Sequence, residues 1–496
     1  MKNEKDKKEQ SVLTPMYHEG HTLKTRRDFL SQGFLGLSAF TLAPTALSML
    51  TSGKAYGAEC AIQASVSGMI PVIILDLSGG GNIPGSNVMV GGAGGQLDFL
   101  ADYSTLGLPP EMHPSRPGML DTELGLVFHS DSGMLRGIKS VTNASTRSNV
   151  DGLVWNTVSS DDTNNNEINP AYWIHKAGIR GRLNQIVGSE GSDSGGNSRA
   201  PSVSVNPSIA PVRISGPQDA VNLVSLERLG TFFAQNKSSK VERILRSIAG
   251  LSQSKLESIS RRSLPEEIKE LVKCGFQQAP DQIRAFSPAA LDPRLDPLVT
   301  PIFADMANNS DQRRVASIAK LVLDRYSAVG VIEKGGFDYH TGNRSEGERR
   351  DFEAGQVIGR IMQLAAAKQT DVMIYVFTDG GVAATKTLDN TVEGRGKYIW
   401  TGDSGQRSSS FMLVYKASGK PALVNANRQI GYFKANGSVE TSALITSNSV
   451  VNLAKSVTSN YMALHGLDEK VSDVIGEVPF GTPDTVEWKK YVRFTK

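Results

Sequence analysis

The stretch MIPVIILDL at residues 69–77 decides the fold. It is a continuous apolar run with several β-branched residues, and the glycine-rich segment SGGGNIPG follows it at 78–85. A second run of this kind, DVMIYVFT at 371–378, ends in Asp379 and two glycines. Strands that are apolar on both faces lie inside parallel sheets that helices cover. We therefore predict that both runs are strands of one helix-covered sheet.

Helical periodicity dominates much of the sequence between and around these runs. Two long amphipathic helices are predicted at 311–329 and 345–367, and a last one at about 449–464. The predicted buried faces of the first two consist of Val315, Ile318, Ala319, Val322 and Tyr326, and of Phe352, Gly355, Ile358, Met362 and Ala365. The predicted exposed face of the second carries Glu346, Glu348, Arg349, Arg350 and Glu353.

The order of these elements predicts the fold class. The helix at 345–367 followed by the strand at 371–378 is half of a βαβ unit. Short strand-like segments follow residue 396, namely KYIW, SFMLVYK, PALVN and QIGYF. The prediction is an α/β fold with a mostly parallel central sheet and helices on both faces.

The first 57 residues have the layout of an export signal. Paired arginines in TRRDFLS at 25–31 precede a mildly apolar stretch from Phe29 to Leu50, and small residues follow at Ala55 and Gly57. This layout predicts a twin-arginine signal peptide cleaved after Gly57, and hence a periplasmic or secreted protein. The alternative is an uncleaved signal that anchors the protein in the membrane, although its glycines, serines and proline make it less apolar than a typical span.

The positive charge of the chain is concentrated in this signal. The whole sequence has a formal net charge of +3, and residues 1–27 alone carry seven Lys or Arg against four Asp or Glu. The remainder from Ala58 to Lys496 is therefore close to neutral. It has neither a basic patch nor interleaved basic and aromatic residues, so no nucleic-acid partner is predicted.

The mature part, residues 58–496, is predicted to be one α/β domain with an insertion at about 188–285. The insertion begins with GSEGSDSGGNSRA at 188–200, which predicts a flexible surface loop without core-forming residues. Polar helix formers follow and predict a helical continuation.

The sequence contains two cysteines, Cys60 and Cys274. In an oxidising periplasm they could pair and close a long loop. Two free thiols are the alternative, because a twin-arginine substrate crosses the membrane already folded. The sequence leaves both states open.

Candidate site residues follow the predicted strands. Asp76 and Asn82 flank the end of the first strand, Asp379 ends the second, and the glycine turn in GGFDYH adds Asp338 and His340. Ligands of doubly wound sheets bind outside the carboxyl ends of the strands, and divalent ions bind converging carboxylate and imidazole groups. The alternative is an ordinary turn whose polar side chains bond to the backbone.

A second candidate lies in SSDDTNNNEINP at 159–170. Ser160 and the two aspartates after it could form a nucleophile held beside a metal. The alternative is an asparagine-rich turn. His129 and His175 lie among apolar residues and are predicted to be packed or surface histidines.

Taken in order, these motifs resemble an exported bacterial family, the domain of unknown function fifteen-oh-one, which is similar to the alkaline phosphatase and sulfatase superfamily. The resemblance rests on the twin-arginine signal, the first strand ending in glycines, the complete Gly-Gly-aromatic-Asp-x-His motif and the later strand end with its acidic residue. It implies an alkaline-phosphatase-like core with helical and loop insertions. It also implies a catalytic nucleophile, Ser160, and five metal ligands: Asn82, Asp338, His340, Asp379 and Asp403.

This chain departs from the family pattern at several of those positions. Asn82 stands where the family has an aspartate, and the histidines expected near Ser160 and after Asp403 are absent. The departures imply a degenerate site with at most one divalent cation, either calcium, magnesium or zinc. The predicted function is a non-catalytic envelope protein that binds a protein or glycan partner. The alternatives are a divalent-metal-dependent hydrolase of phosphate or sulfate esters and a structural component of an envelope assembly.

Overall fold

The central β-sheet is built around β1 (Val72–Leu77), the core of the first apolar run. In the computed structural model, β1 lies between β7 (Ser327–Lys334) and β8 (Val372–Thr378) and runs parallel to both. All residues of β1 and β8 are buried. The prediction that the two apolar runs are strands of one sheet is confirmed, and the runs are direct neighbours.

The structure describes residues 68–159, 166–223, 288–339, 342 and 344–496. The predicted signal peptide, Ser160, His340, both cysteines and the helical continuation of the predicted insertion lie outside these ranges. The described residues all fall in one structural unit. No helix within them is long and apolar enough to cross a membrane.

Within the described ranges the central sheet has eight strands, and all but one are parallel. The exception is β11 (Ser409–Tyr415), which runs antiparallel to both of its neighbours, β4 (Val150–Asn156) and β8. In order across the sheet the strands are β13 (Gln429–Ile430), β4 (Val150–Asn156), β11 (Ser409–Tyr415), β8, β1, β7, β5 (Asn184–Gly188) and β6 (Val212–Arg213). Three small antiparallel pairs lie outside it, β9 (Val382–Asp389) with β10 (Lys397–Asp403), β2 (Leu120–Asp121) with β3 (Phe128–His129), and β12 (Ala422–Leu423) with β14 (Phe494–Thr495).

The described helices range from single turns to the long α7. In chain order they are α1 (Gly133–Val141), α2 (Ala144–Arg147), α3 (Ala171–Lys176), α4 (Pro217–Asn222), α5 (Pro288–Leu291), α6 (Ser310–Leu323), α7 (Arg344–Ala367), α8 (Val450–Ala463), α9 (Val471–Ile475) and α10 (Trp488–Tyr491). Single-turn 3-10 helices lie at Ser104–Leu106, Pro110–Met112, Ser202–Ser204, Pro207–Ile209, Pro293–Leu295, Ala304–Ala307 and Asp468–Lys470. The predicted helices at 345–367 and 449–464 correspond closely to α7 and α8.

Alternate residues of β1 face two different apolar clusters. Ile73 and Leu75 pack in the cluster that contains buried residues of α1, α6 and α7. Val72 and Ile74 pack on the other face, with buried residues of α3 and α8. This alternation follows from the two-residue period of a strand. The predicted α/β class, with a mostly parallel sheet and helices on both faces, is therefore confirmed.

The prediction of a helix at 311–329 is wrong at its C-terminal end. Helix α6 ends at Leu323, and Arg325 takes a positive φ of 62° that no helix accommodates. Tyr326 is buried as predicted but lies in the turn, and the next residues form β7. The apolar residues of β7 are buried beside β1, and this burial outweighs the helical periodicity that continues from α6 into β7.

Helices α1 and α7 approach each other through glycines on both sides. A Cβ atom on Gly355 would lie 2.0 Å from the carbonyl oxygen of Met134, and one on Gly137 would lie 2.1 Å from that of Phe352. These distances are far below any real carbon–oxygen contact. The two helices therefore pack backbone against backbone, and α1 closes one face of the sheet through this contact.

Candidate functional site

Two buried carboxylates lie side by side at the carboxyl ends of the central strands. Asp76, the penultimate residue of β1, and Asp379, directly after β8, are both fully buried. Asn197 bridges them, because its backbone N–H donates to Asp76 Oδ2 at 2.8 Å and its amide donates to Asp379 Oδ2 at 3.4 Å. The N–H of Ser198 also donates to Asp76 Oδ2 at 2.8 Å, and that of Gly79 to Asp379 Oδ1 at 2.7 Å. Both carboxylates are therefore held by backbone donors from two loops.

Burial raises the pKa of Asp76 from 3.8 to about 7. The neighbouring charges of Asp379 and Glu333 add to the rise, while the N–H groups of Ser198 and Asn197 oppose it. Desolvation and like charge both disfavour the ionised form. Near neutral pH, Asp76 is thus present in both protonation states.

We predict that Asp76→Asn stabilises the protein more at pH 8 than at pH 5. The raised pKa means that folded Asp76 keeps its proton between about pH 4 and pH 7 whereas the unfolded chain has lost it, so stability falls as pH rises through that window. Above pH 7 the buried, ionised carboxylate of Asp76 lowers the free energy of unfolding by a constant amount of about 4 kcal/mol. The uncharged amide of Asp76→Asn removes this cost. Urea unfolding at both pH values measures the difference. A gain that is the same at pH 5 and pH 8 would contradict the raised pKa, and the exposed Asp473→Asn is the control.

The segment that covers Asp76 was predicted to be a surface loop, and that prediction is wrong for its second half. Ser194 and Ser198 are buried, and Gly196 packs so closely that a Cβ atom would lie 2.7 Å from Asp76 Oδ2. Only a residue without a side chain leaves room for the carboxylate there. The buried Asp76 needs backbone donors, and this glycine-rich stretch supplies them.

Asp338 reaches the same edge of the sheet from the turn after β7. Asp338 is exposed. A Cβ atom added to Gly79, which has a φ of 114°, would lie 2.8 Å from the Cβ of Asp338. Gly79 is also the residue whose N–H binds Asp379. The structure therefore places Asp338 and Asp379 beside the same glycine, Gly79.

Asn82 does not turn toward these carboxylates. It is buried, its backbone N–H donates to the hydroxyl of Tyr339, and its amide contacts Ser86 and, at 3.5 Å, Asp351 Oδ2. The side chain therefore belongs to a separate polar network on α7. Its placement gives Asn82 no described contact with Asp338 or Asp379.

The remaining predicted residues lie around this edge. Asp403 ends β10 opposite Val382, is exposed, and is followed by Ser404, whose N–H donates to Gly381. Ser160 and His340 lie outside the described residues. The neighbour Ser159 is described, and its hydroxyl accepts a hydrogen bond from the N–H of Gly380 at 3.2 Å.

A two-metal site of the phosphatase kind needs several carboxylates and imidazoles around each ion. Among the described residues, no three His, Cys, Asp or Glu side chains lie close enough together to hold a metal ion. The oxygens of Asp76 and Asp379 also accept hydrogen bonds from backbone N–H groups and from the Asn197 amide. The described donors therefore do not fit a two-metal centre.

A buried ion network surrounds Glu348, which the sequence pattern had placed on the exposed face of α7. Glu348 is buried, and its Oε1 accepts from Arg344 Nη2 at 2.7 Å and from Lys397 Nζ at 2.8 Å. Burial alone would raise the pKa of Glu348, but the two cations hold it at about 2. Arg344 also lies 4.3 Å over the ring of Trp400. These contacts fix the β9–β10 hairpin onto α7.

Asp351 extends this network toward the candidate site. Its oxygens accept from Tyr339 at 3.0 Å and from Asn87 at 2.7 Å. Burial and the charge of Glu348 raise the pKa of Asp351 to about 7. Arg344, Glu348 and Asp351 follow one another at spacings of four and three residues, which puts them on the helix stripe that includes Gly355. That spacing was the available signal, because charged residues on an apolar stripe indicate a buried network.

His129 is packed, as predicted. Its ring is fully buried; Nδ1 accepts the N–H of Asp131 at 3.1 Å, and Nε2 lies 3.0 Å from the carbonyl of Met112. Nε2 must therefore carry the proton. Burial lowers the pKa of His129 to about 4, so this histidine is neutral and already bonded at both nitrogens.

Comparison with protein-family models and with curated proteins gives no match to this chain.

Proposed function

We propose that this protein is an exported envelope protein with an alkaline-phosphatase-like core and a degenerate ligand set, and that it binds a protein or glycan partner without hydrolysing an ester. The observation that carries the proposal is the position of Asn82. Where the resemblance expects a metal-binding aspartate, the amide is buried in the Asp351 network instead. An amide held by internal partners cannot supply the charge that an ion needs.

The partners of Asp379 support the same proposal. Its two oxygens accept from the N–H of Gly79 and from the amide of Asn197. A buried carboxylate with such partners stabilises the turns around it, since each of its oxygens bonds to a different loop. The strand ends then serve as a rigid platform that presents the surrounding loops.

The exposed carboxylate of Asp338 favours the alternative function, a divalent-metal-dependent ester hydrolase. It lies beside Gly79 and is followed by His340, so together with Asp379 it could supply ligands from neighbouring strand ends. Such a set suits a single calcium, magnesium or zinc ion. The Ser160 hydroxyl would be the nucleophile in this alternative.

Metal analysis of the mature protein, purified from the periplasm without chelator, tests the two functions against each other. We expect no stoichiometric divalent metal in the wild type and no turnover of phosphate or sulfate esters. A stoichiometric ion that is lost in Asp338→Asn and in His340→Ala, but kept in Asp473→Asn, would overturn the binding function in favour of the hydrolase. Asp473 is an exposed carboxylate and serves as the matched control.

A further inference from the structure

A polar groove opens at the edge of the sheet opposite to Asp76. It has a volume of about 310 Å³ and lies between the segment after α1, the end of α7 and the end of β11. Tyr415, the last residue of β11, pairs with Val150 and Val372 at the amino ends of β4 and β8. The groove is therefore separate from the candidate site at the carboxyl ends of the strands. The residues whose side chains define it are Asn143, Thr146, Asn149, Gln363, Gln369 and Tyr415.

The hydrogen-bonding groups of this polar groove are held in place by the protein itself. Gln363 Oε1 accepts the backbone N–H of Asn143 and the hydroxyl of Thr146, each at 3.0 Å. This fixes the orientation of the amide, whose Nε2 has no hydrogen-bond partner among the described residues. The amide of Asn149 in turn donates to the carbonyl of Ala417 at 3.5 Å. Groups fixed in this way lose little conformational freedom when a ligand binds.

The lining of the groove contains amides, hydroxyls and alanines but no charged side chain. Phosphates and carboxylates are recognised by arginine and lysine, so an anionic ligand does not suit it. A peptide needs a free strand edge or an apolar pocket, and β11 is already paired on both sides. The volume is at the lower end of the range for small-ligand sites. A single ring carrying several hydroxyls matches these features.

We propose that the polar groove binds one neutral sugar residue, with the fixed amide of Gln363 as its central hydrogen-bond donor. This site does not rest on the proposed function of the opposite edge. It would make the protein a carbohydrate-binding protein whether or not that edge binds metal.

Saturation-transfer NMR on the mature protein tests this proposal with glucose, galactose and N-acetylglucosamine as probes. Each is supplied at about 20 mM, because a single ring is expected to bind with a dissociation constant on the order of millimolar. We expect transfer to at least one sugar and none to trialanine. Absence of transfer to all three sugars, or transfer to trialanine alone, would overturn the proposal.

Two variants locate the binding in the groove. Gln363→Glu keeps an oxygen acceptor for Asn143 and Thr146 but removes the amide donor, so we expect the fold to persist and sugar affinity to fall about tenfold. Ala367→Trp fills the groove from an exposed position on α7 and should abolish transfer. Ala307→Trp makes the same exchange at an exposed position outside the groove and should retain it. Transfer that survives Ala367→Trp would place the sugar elsewhere and refute the site.

Discussion

Replacing Gly355 by alanine is expected to destabilise the protein by about 3 kcal/mol or more, although alanine is the better helix former. Its methyl group would lie 2.0 Å from the carbonyl oxygen of Met134. That oxygen is backbone, so relief requires α1 and α7 to separate. Separation weakens the apolar cluster that both helices share with the sheet. Helix propensity alone predicts a gain in stability of about 1 kcal/mol. The sign of the measured change therefore shows whether helix propensity or the contact with Met134 dominates.

Urea unfolding of Gly355→Ala measures this effect, with Gly402→Ala as the matched control. Gly402 lies on β10, where an added Cβ atom would have no neighbouring atom within 4 Å and where φ lies outside the left-handed region. We expect the control to change stability by less than about 0.5 kcal/mol. Equal midpoints for wild type and Gly355→Ala would show that the two helices tolerate a larger spacing.

The second large effect is expected for Lys397→Met. Lys397 is fully buried, and its Nζ donates to Glu348 Oε1 at 2.8 Å and to the carbonyl of Asp131 at 2.7 Å. Removing one partner of a buried ion pair costs about 3–5 kcal/mol, and here Glu348 would keep only its two arginine partners. We therefore expect Lys397→Met to detach the β9–β10 hairpin from α7 and lower the unfolding midpoint strongly.

A double-mutant cycle with Glu348→Gln tests whether the loss comes from the pair. Because Arg344 and Arg136 also contact Glu348, the double variant should cost less than the sum of the single variants but should not recover fully. Lys386→Met on β9 is the control. Its ion pair with Asp102 is exposed and 3.6 Å long, and such pairs contribute at most about 1 kcal/mol. If the stability loss of the double variant equals the sum of the two single losses, Lys397 and Glu348 are not energetically coupled.

The sequence predicts strands β1 and β8 but not β7, the other neighbour of β1 in the sheet. The runs that form β1 and β8 are recognisable because burial on both faces leaves almost no polar residue in a strand. Strand β7 was missed, since its apolar residues continue the period of α6 and the break occurs at Arg325, which carries no glycine or proline signal. Local pattern alone does not report which segment will be inserted beside β1.

The candidate site was predictable in position but not in detail. Neighbouring strand ends bring Asp338 and Asp379 to one glycine, as topology requires. The partners of Asp76 come from residues 197–198, more than a hundred positions away in sequence, and no local signal joins them. Asn82 was assigned by its place after β1, whereas its orientation depends on Asp351, a residue of α7.

The position of β1 also limits when the chain can fold. Val72 pairs with Val329 and Met373, so both neighbours of the central strand are made long after it. At synthesis rates of about 5–20 residues per second, β1 has no partner for on the order of tens of seconds. During that time an apolar segment stays available to chaperones or to other chains. A nascent chain of this protein therefore cannot complete its sheet until most of it has left the ribosome.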